Sequence, residues 1–282
     1  MELLEQLDFT ELIKRALAED VGQGDITTAA TVAPGAIGRA RITVKESRMI
    51  LAGGILIEPV MRLAGAEPRI VALAPEGAEL KAGSVLAEVE GKLAGLLIGE
   101  RTALNFVQLL SGIATTTRSF VDAIAGTHAK ILDTRKTHPG LRAVEKYAVR
   151  VGGGHNHRLG LDSGVLIKEN HIAAAGTVTK AIEGARRLAP HTLKIEIECE
   201  TLAQVEEALK AGADAILLDN MTLDNVRKAR AMAGPRVQLE VSGGVTLATV
   251  RAIAEAGVDL ISVGALTHSA RFLDISMRID AV

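Results

Sequence analysis

A repeat in the second half of this 282-residue chain constrains its fold more than any other feature. Apolar, strand-like runs (LKIEIE, AILLD, VQLEV, LISVG) alternate with helical patterns opening at Thr201, Thr222 and Thr246. The runs end at Glu198, Asp219, Ser242 and Gly264, spaced 21, 23 and 22 residues apart. That length holds one strand and one crossover helix, so successive strands must run parallel. In KAGADAILLD and EAGVDLISVG a glycine closes the helix and an aspartate feeds the next strand. Two earlier strands are expected near Lys130–Asp133 and Gly164–Lys168, giving six. A complete eightfold barrel takes about 250 residues, more than the second half supplies. The choice is an incomplete barrel or a doubly wound open sheet. Glu196 and Glu198 share one face of a strand that should be buried on both sides. A barrel mouth accommodates such charges, and the barrel is expected.

The first half has a different rhythm. Phe9, Leu12, Ile13, Ala16 and Leu17 fall at helical spacing, with Asp8 and Glu11 as a capping-box-like start. A glycine-rich turn over Val21–Thr28 follows, then a strand over Arg39–Lys45. Residues 69–93 read as short strands broken by Gly77, Gly83 and Gly91. A long helix is expected from Ala94 to Thr117, interrupted at Gly99 and Gly112.

Charge narrows the function classes. The net charge of −2 argues against bulk attraction to nucleic acid or membrane. Four Phe, one Tyr and no Trp leave little for base stacking. No uncharged apolar run reaches the roughly 18 residues of a membrane span. Cys199 is the only cysteine, so an internal disulfide and a multi-cysteine metal site are excluded. The opening residues carry acids and no basic stretch, so a secretory signal is not expected and a cytoplasmic enzyme is. Within this acidic chain, Thr134–Arg158 holds six Lys/Arg, one acid and three histidines. Such a window favours an anionic ligand.

Function in a parallel barrel collects at the C-terminal ends of the strands. There the sequence offers Arg135, Lys136, His157, Arg158 and Lys168 on the cationic side. Glu198, Asp219, Ser242-Gly243-Gly244 and Gly264 come from the later strands. Adjacent glycines let backbone N–H groups approach phosphate oxygens, with a following helix adding favourable polarity; the alternative is a plain tight turn. Glu198 and Asp219 could hold sugar hydroxyls or Mg²⁺, and Asp219 competes with Thr222 for a helix cap. His155 and His157 lack further ligands at zinc spacing. Cys199, on the opposite pleat face from Glu198, is expected to be packed.

The segments EDVGQGDITT, ERTALNFVQLLSGIATTT, DTRKTHPGLRAVEKYAVRVGGGHNHRLGL, IKENHI, IEIECET, LLDNM, SGGV and VGALTHS resemble the quinolinate phosphoribosyltransferases, in order from Glu19 to Ser269. The resemblance implies an α/β chain: an N-terminal open-faced α/β sandwich (1–110, completed by 270–282) and a six-stranded incomplete parallel β/α barrel (111–269) bearing the active site. It implies transfer of phosphoribose from phosphoribosyl pyrophosphate to quinolinate with Mg²⁺. The products are nicotinate mononucleotide, pyrophosphate and carbon dioxide, a step of NAD synthesis. It also implies a homodimer with shared active sites, which could continue to a hexamer. By the same resemblance, Arg135, His157, Arg158 and Lys168 hold the dicarboxylate, joined by Arg101 from the neighbouring subunit. Lys136, with His157 and Arg158, faces pyrophosphate; Glu198 and Asp219 lie near the ribose and metal, directly or through water. Ser242, Gly243, Gly244 and Gly264 cradle the 5′-phosphate. Lys136, Glu198 and Asp219 are the candidate catalytic residues. The chain departs from the family's usual TRKTTPG at His138, expected beside the cationic pocket. A related phosphate-binding transferase would share SGGV and VGAL but not require all of Arg101, Arg135, Arg158 and Lys168, and a non-catalytic anion-binding protein would not require both acids.

Overall fold

Along Ile37–Val44 (β1), Ala40, Ile42 and Val44 are buried while Arg39 and Arg41 point the other way, the two-residue period of a strand. The computed structural model describes residues 9–281. Further strands are β2 (Met49–Ile50), β3 (Arg69–Leu73), β4 (Glu79–Leu80) and β5 (Val85–Lys92). The main antiparallel sheet runs in the order Ile275–Ala281, β1, β5, β3, and β2 pairs with β4. On one face, register opposes Arg39 to Glu90 and Arg41 to Glu88. Arg39 and Arg69 both pair with Glu90, and Arg41 Nε lies 2.8 Å from Glu88 Oε1. These pairs hold register more than they add stability. The other face is buried together with Ile13, Leu17, Val60, Met61 and Leu96 from helices. Gly91 continues β5 instead of breaking it, whereas Gly77 and Gly83 are turns at positive φ.

The first helix spans Thr10–Val21 and is preceded by Phe9, which makes no side-chain cap; the expected cap at Asp8 lies outside the described residues. The long helix is longer than expected, Leu93–Ala123, and runs unbroken through Gly99 and Gly112. A Cβ at Gly112 would stand 2.0 Å from the carbonyl oxygen of Arg271, so here glycine permits close approach of another chain segment.

Two compact units divide the chain: one holds the residues up to Arg118, His138–Gly153 and the segment from Ser269, the other Ser119–Thr137 and Gly154–His268. His138–Gly153, placed by the sequence within the 111–269 barrel, therefore packs in the first unit. Its helix, Arg142–Val151, is anchored there: the Tyr147 hydroxyl donates to Glu76 Oε2 at 2.6 Å. Next to it, Arg118 Nε donates to the Gly152 carbonyl at 3.0 Å.

The second unit contains the six expected parallel strands: β6 (Lys130–Leu132), β7 (Val165–Ile167), β8 (Ile195–Cys199), β9 (Ala215–Asp219), β10 (Gln238–Ser242) and β11 (Leu260–Ser262). Their order is β6-β11-β10-β9-β8-β7, and the end strands β6 and β7 do not pair with each other, so the β/α barrel is incomplete. Thr201 caps its helix in a full capping box with Gln204, and Thr222 accepts from Asn225 N at 3.3 Å. Gly212 and Gly257 take positive φ after their helices. The third helix departs from expectation. Thr246 opens a turn whose carbonyl accepts from Val250 N at 2.9 Å, and the helix itself is Val250–Glu255.

Candidate active site

At the C-terminal ends of these strands lies a cavity of about 590 Å³. It is lined by Arg135, Lys136, His157, Arg158, Lys168, Glu198, Asp219, Ser242, Gly243, Gly244 and Gly264, every expected site residue except Arg101. Arg101 is exposed on the helix Leu93–Ala123, in the other unit. His138 is also absent from the lining; its Nδ1 lies 2.5 Å from Oε1 of the fully buried Glu145.

Apart from Lys168, which follows β7, the cationic side is built on loops after β6 and before β7. Lys136 is held in place through its backbone: its N–H donates to Thr134 Oγ1 at 3.0 Å, and the buried Thr267 hydroxyl donates to its carbonyl at 2.7 Å. Asp133, fully buried at the end of β6, accepts from Asn156 Nδ2 at 2.6 Å and from the His157 backbone N–H at 2.9 Å. One carboxylate thus ties the His-Asn-His-Arg loop to the barrel. Arg158 Nη1 donates to the Gly164 carbonyl at 2.9 Å, while its buried Nε has no hydrogen-bond partner. Burial, then the charge of Arg135, pushes the Arg158 guanidinium below its ordinary pKa. Crowded, incompletely satisfied guanidinium is what an anionic ligand would relieve.

The acidic side comes from β8 and β9. Lys168 Nζ lies 2.5 Å from Glu198 Oε2. Burial raises the Glu198 carboxyl above its usual range, Lys168 opposes that rise, and Asp219 adds to it. Asp219 faces the cavity and takes a 2.8 Å hydrogen bond from Asn220 Nδ2, leaving the cap to Thr222.

The glycine cradle is a turn and not a helix start. Gly243 and Gly244 sit at φ +91° and +60°, and a Cβ at Gly243 would come 2.1 Å from Asn220 Oδ1. Val245–Thr249 separate the cradle from the next helix, so the expected polarity of a helix N-terminus is not supplied there. On β11's side, a Cβ at Gly264 would stand 3.1 Å from His268 Nε2 and 3.2 Å from Lys136 Cδ.

Sequence reasoning placed Glu196 at the barrel mouth but missed Glu240, which lines the cavity beside it. His157 Nε2 lies 3.2 Å from Glu196 Oε2 and 3.8 Å from Glu240 Oε1, and Ser262 Oγ donates to Glu240 Oε1 at 2.5 Å. Burial, then the charge of Glu196, holds the Glu240 carboxyl well above its usual range. The available signal was period two: Glu240 stands two residues before Ser242 on the same strand. Cys199 is fully buried and its thiol is pushed up to about 12 by burial, so it is packed and unreactive, as expected.

An incomplete α/β barrel with clustered cations, two strand-end acids and a glycine cradle in one cavity defines an enzyme for multiply anionic, phosphorylated substrates. Known proteins specify which. The family described as quinolinate phosphoribosyl transferase matches with its N-terminal domain over residues 25–111 and its C-terminal domain over 113–278. The probable nicotinate-nucleotide pyrophosphorylase [carboxylating] of Bacillus subtilis is 44% identical over 98% of this chain and 95% of its own. The Mycobacterium leprae nicotinate-nucleotide pyrophosphorylase is 45% identical over 95% of each. Among solved structures, NadC from Streptococcus pyogenes superposes with a TM-score of 0.93 at 41% identity, covering 97% of both chains. The chain belongs to the quinolinate phosphoribosyltransferase family of pentosyltransferases. Among the described residues, no helix is long and apolar enough to cross a membrane.

Proposed function

We propose that this chain transfers phosphoribose from phosphoribosyl pyrophosphate to quinolinate, with loss of one ring carboxylate. The products are nicotinate mononucleotide, pyrophosphate and carbon dioxide, in NAD biosynthesis. The observation that carries this reading is the meeting of Arg135, Arg158 and Lys168 with Ser242–Gly244 and Gly264 in one cavity. The cations suit a dicarboxylate, which guanidinium binds as a fork. The positive-φ glycines present backbone to a phosphate.

No side chain is required as general base, because the ring nitrogen's lone pair can attack the anomeric carbon as pyrophosphate departs. Lys136 neutralises charge on the departing group. Glu198 and Asp219 stabilise the positive charge that develops on the ribose. Holding the two reactants in register supplies much of the rest. The C–C bond to the ring carboxylate then breaks, its electron pair staying on the ring carbon beside the positively charged nitrogen that stabilises it, and a proton is taken up there.

The oxygen-only donors Glu198 and Asp219 suit Mg²⁺, which keeps its waters and binds carboxylate and phosphate together; they would hold it through water, and the ion would offset pyrophosphate charge. The reading includes a homodimer in which Arg101 completes the partner's dicarboxylate pocket, with a hexamer as a possible larger assembly. It also includes a cytoplasmic location, consistent with a lone, buried cysteine.

The test is one assay: protein, Mg²⁺ and phosphoribosyl pyrophosphate, with quinolinate or nicotinate offered separately. Nicotinate mononucleotide and carbon dioxide from quinolinate alone support the reading. Turnover of nicotinate instead overturns the dicarboxylate assignment.

A further inference from the structure

The carboxyl groups of Glu196 and Glu240 beside the cationic pocket need an explanation, because an acid there does not attract a dianionic ligand. Their geometry supplies one. The Arg158 backbone N–H donates to His157 Nδ1 at 2.7 Å. A ring nitrogen that accepts cannot carry a proton, so in the neutral imidazole the hydrogen sits on Nε2. Nε2 points at Glu196 Oε2, 3.2 Å away, with Glu240 Oε1 at 3.8 Å and Ser262 behind it. Both ring nitrogens thereby face protein atoms.

We infer that Glu196 and Glu240 are positioning residues for the dicarboxylate: through His157 they hold the backbone of Arg158, and with it the guanidinium, at the cavity wall. This rests on the functional reading above for the identity of the ligand. Arg158 depends on such support because its own side chain has few anchors, Nη1 on Gly164 and an Nε without a partner. The four members come from different places. Glu196 is on β8, Glu240 on β10, Ser262 on β11 and His157 on the loop before β7. The hydrogen bonds of His157 with Glu196 and of Ser262 with Glu240 thus bring together side chains from three strands and a loop in the barrel interior. Asp133 grips the same loop at the His157 backbone N–H, while Glu196 meets the ring itself at Nε2 and so bears on which nitrogen faces Arg158.

Two measurements test this on the full-length protein. Nitrogen-15 NMR of the imidazoles, with His157 assigned by the signal lost in His157→Gln, should show a protonated Nε2 and a bare Nδ1. Glu196→Ala should populate the other tautomer. Kinetically, Glu196→Ala should raise KM for quinolinate about tenfold, the usual effect of losing a partner to a buried donor, with KM for phosphoribosyl pyrophosphate nearly unchanged. Glu196→Gln and Glu240→Gln, which keep an acceptor oxygen, should stay close to wild type. A protonated Nδ1 in the wild type overturns the inference. So does an equal rise in both KM values, or a Glu196→Gln enzyme as impaired as Glu196→Ala. Wild-type turnover of quinolinate checks the functional reading separately; an enzyme inactive on quinolinate sinks that reading, while the tautomer result still decides this one.

Discussion

Lys168 Nζ stands 2.5 Å from Glu198 Oε2, joining the cation that follows β7 to the acid at the end of β8. The pair couples the two chemical halves of the site. Lys168 balances an acid that burial would otherwise drive toward its neutral form, and the proposed role of Glu198 at a cationic ribose requires the charged form.

Removing Lys168 should therefore move the pH profile as well as weaken quinolinate. Lys168 lowers the Glu198 pKa against burial, so in Lys168→Gln that pKa rises further. The acid limb of kcat, read at saturating substrates, should shift to higher pH. An unshifted limb would remove Glu198 as the group that must be ionised.

Glu240 ties stability to pH with a definite sign. Its folded pKa lies above its ordinary 4.5 because of burial, so the folded chain binds that proton more tightly than the unfolded chain. Stability from this group is complete below pH 4.5 and is lost as pH rises toward the raised value. Glu240→Gln should flatten that fall, by at most about 1.4 kcal/mol per pH unit. Urea unfolding of both proteins across mildly acid to neutral pH checks it; parallel curves would contradict the assignment.

Gly243→Ala places a methyl group 2.1 Å from Asn220 Oδ1 at a φ of +91°. Left-handed backbone alone costs a non-glycine residue about 1–2 kcal/mol. The variant should fold with a lowered Tm and bind phosphoribosyl pyrophosphate at least about tenfold more weakly, with quinolinate binding retained. Unaltered phosphoribosyl pyrophosphate affinity, measured by calorimetry, would reduce the cradle to a simple turn.

Arg101 is exposed and outside the cavity lining, and in the proposed homodimer it completes the partner's site. Arg101→Ala and Lys136→Ala should each be nearly inactive alone. Mixed under conditions that exchange subunits, they should regain up to about a quarter of wild-type activity, since hybrid dimers hold one intact site. Absence of recovery after verified exchange would end the shared-site assignment.

The sequence by itself determined the strand series and most of the cavity lining. Spacings of 21 to 23 residues leave room for one strand and one helix each, and residues at strand ends can only gather at one mouth. Local chemistry likewise marked Thr201 and Thr222 as caps and Gly212 and Gly257 as helix stops. Tertiary structure decided what depends on distant atoms. Gly112 sits within the long helix and does not end it, and the carbonyl of Arg271 takes the space a side chain there would need. His138–Gly153 joins the first unit, where Tyr147 meets Glu76, a partner 71 positions away. The helix expected at Thr246 begins at Val250 because a turn closed by Thr249 comes first. Most of all, His157, Glu196, Glu240 and Ser262 converge only once the sheet has curled. Periodicity shows which face of a strand a residue takes, but not which residue of a non-adjacent strand it will meet across the interior.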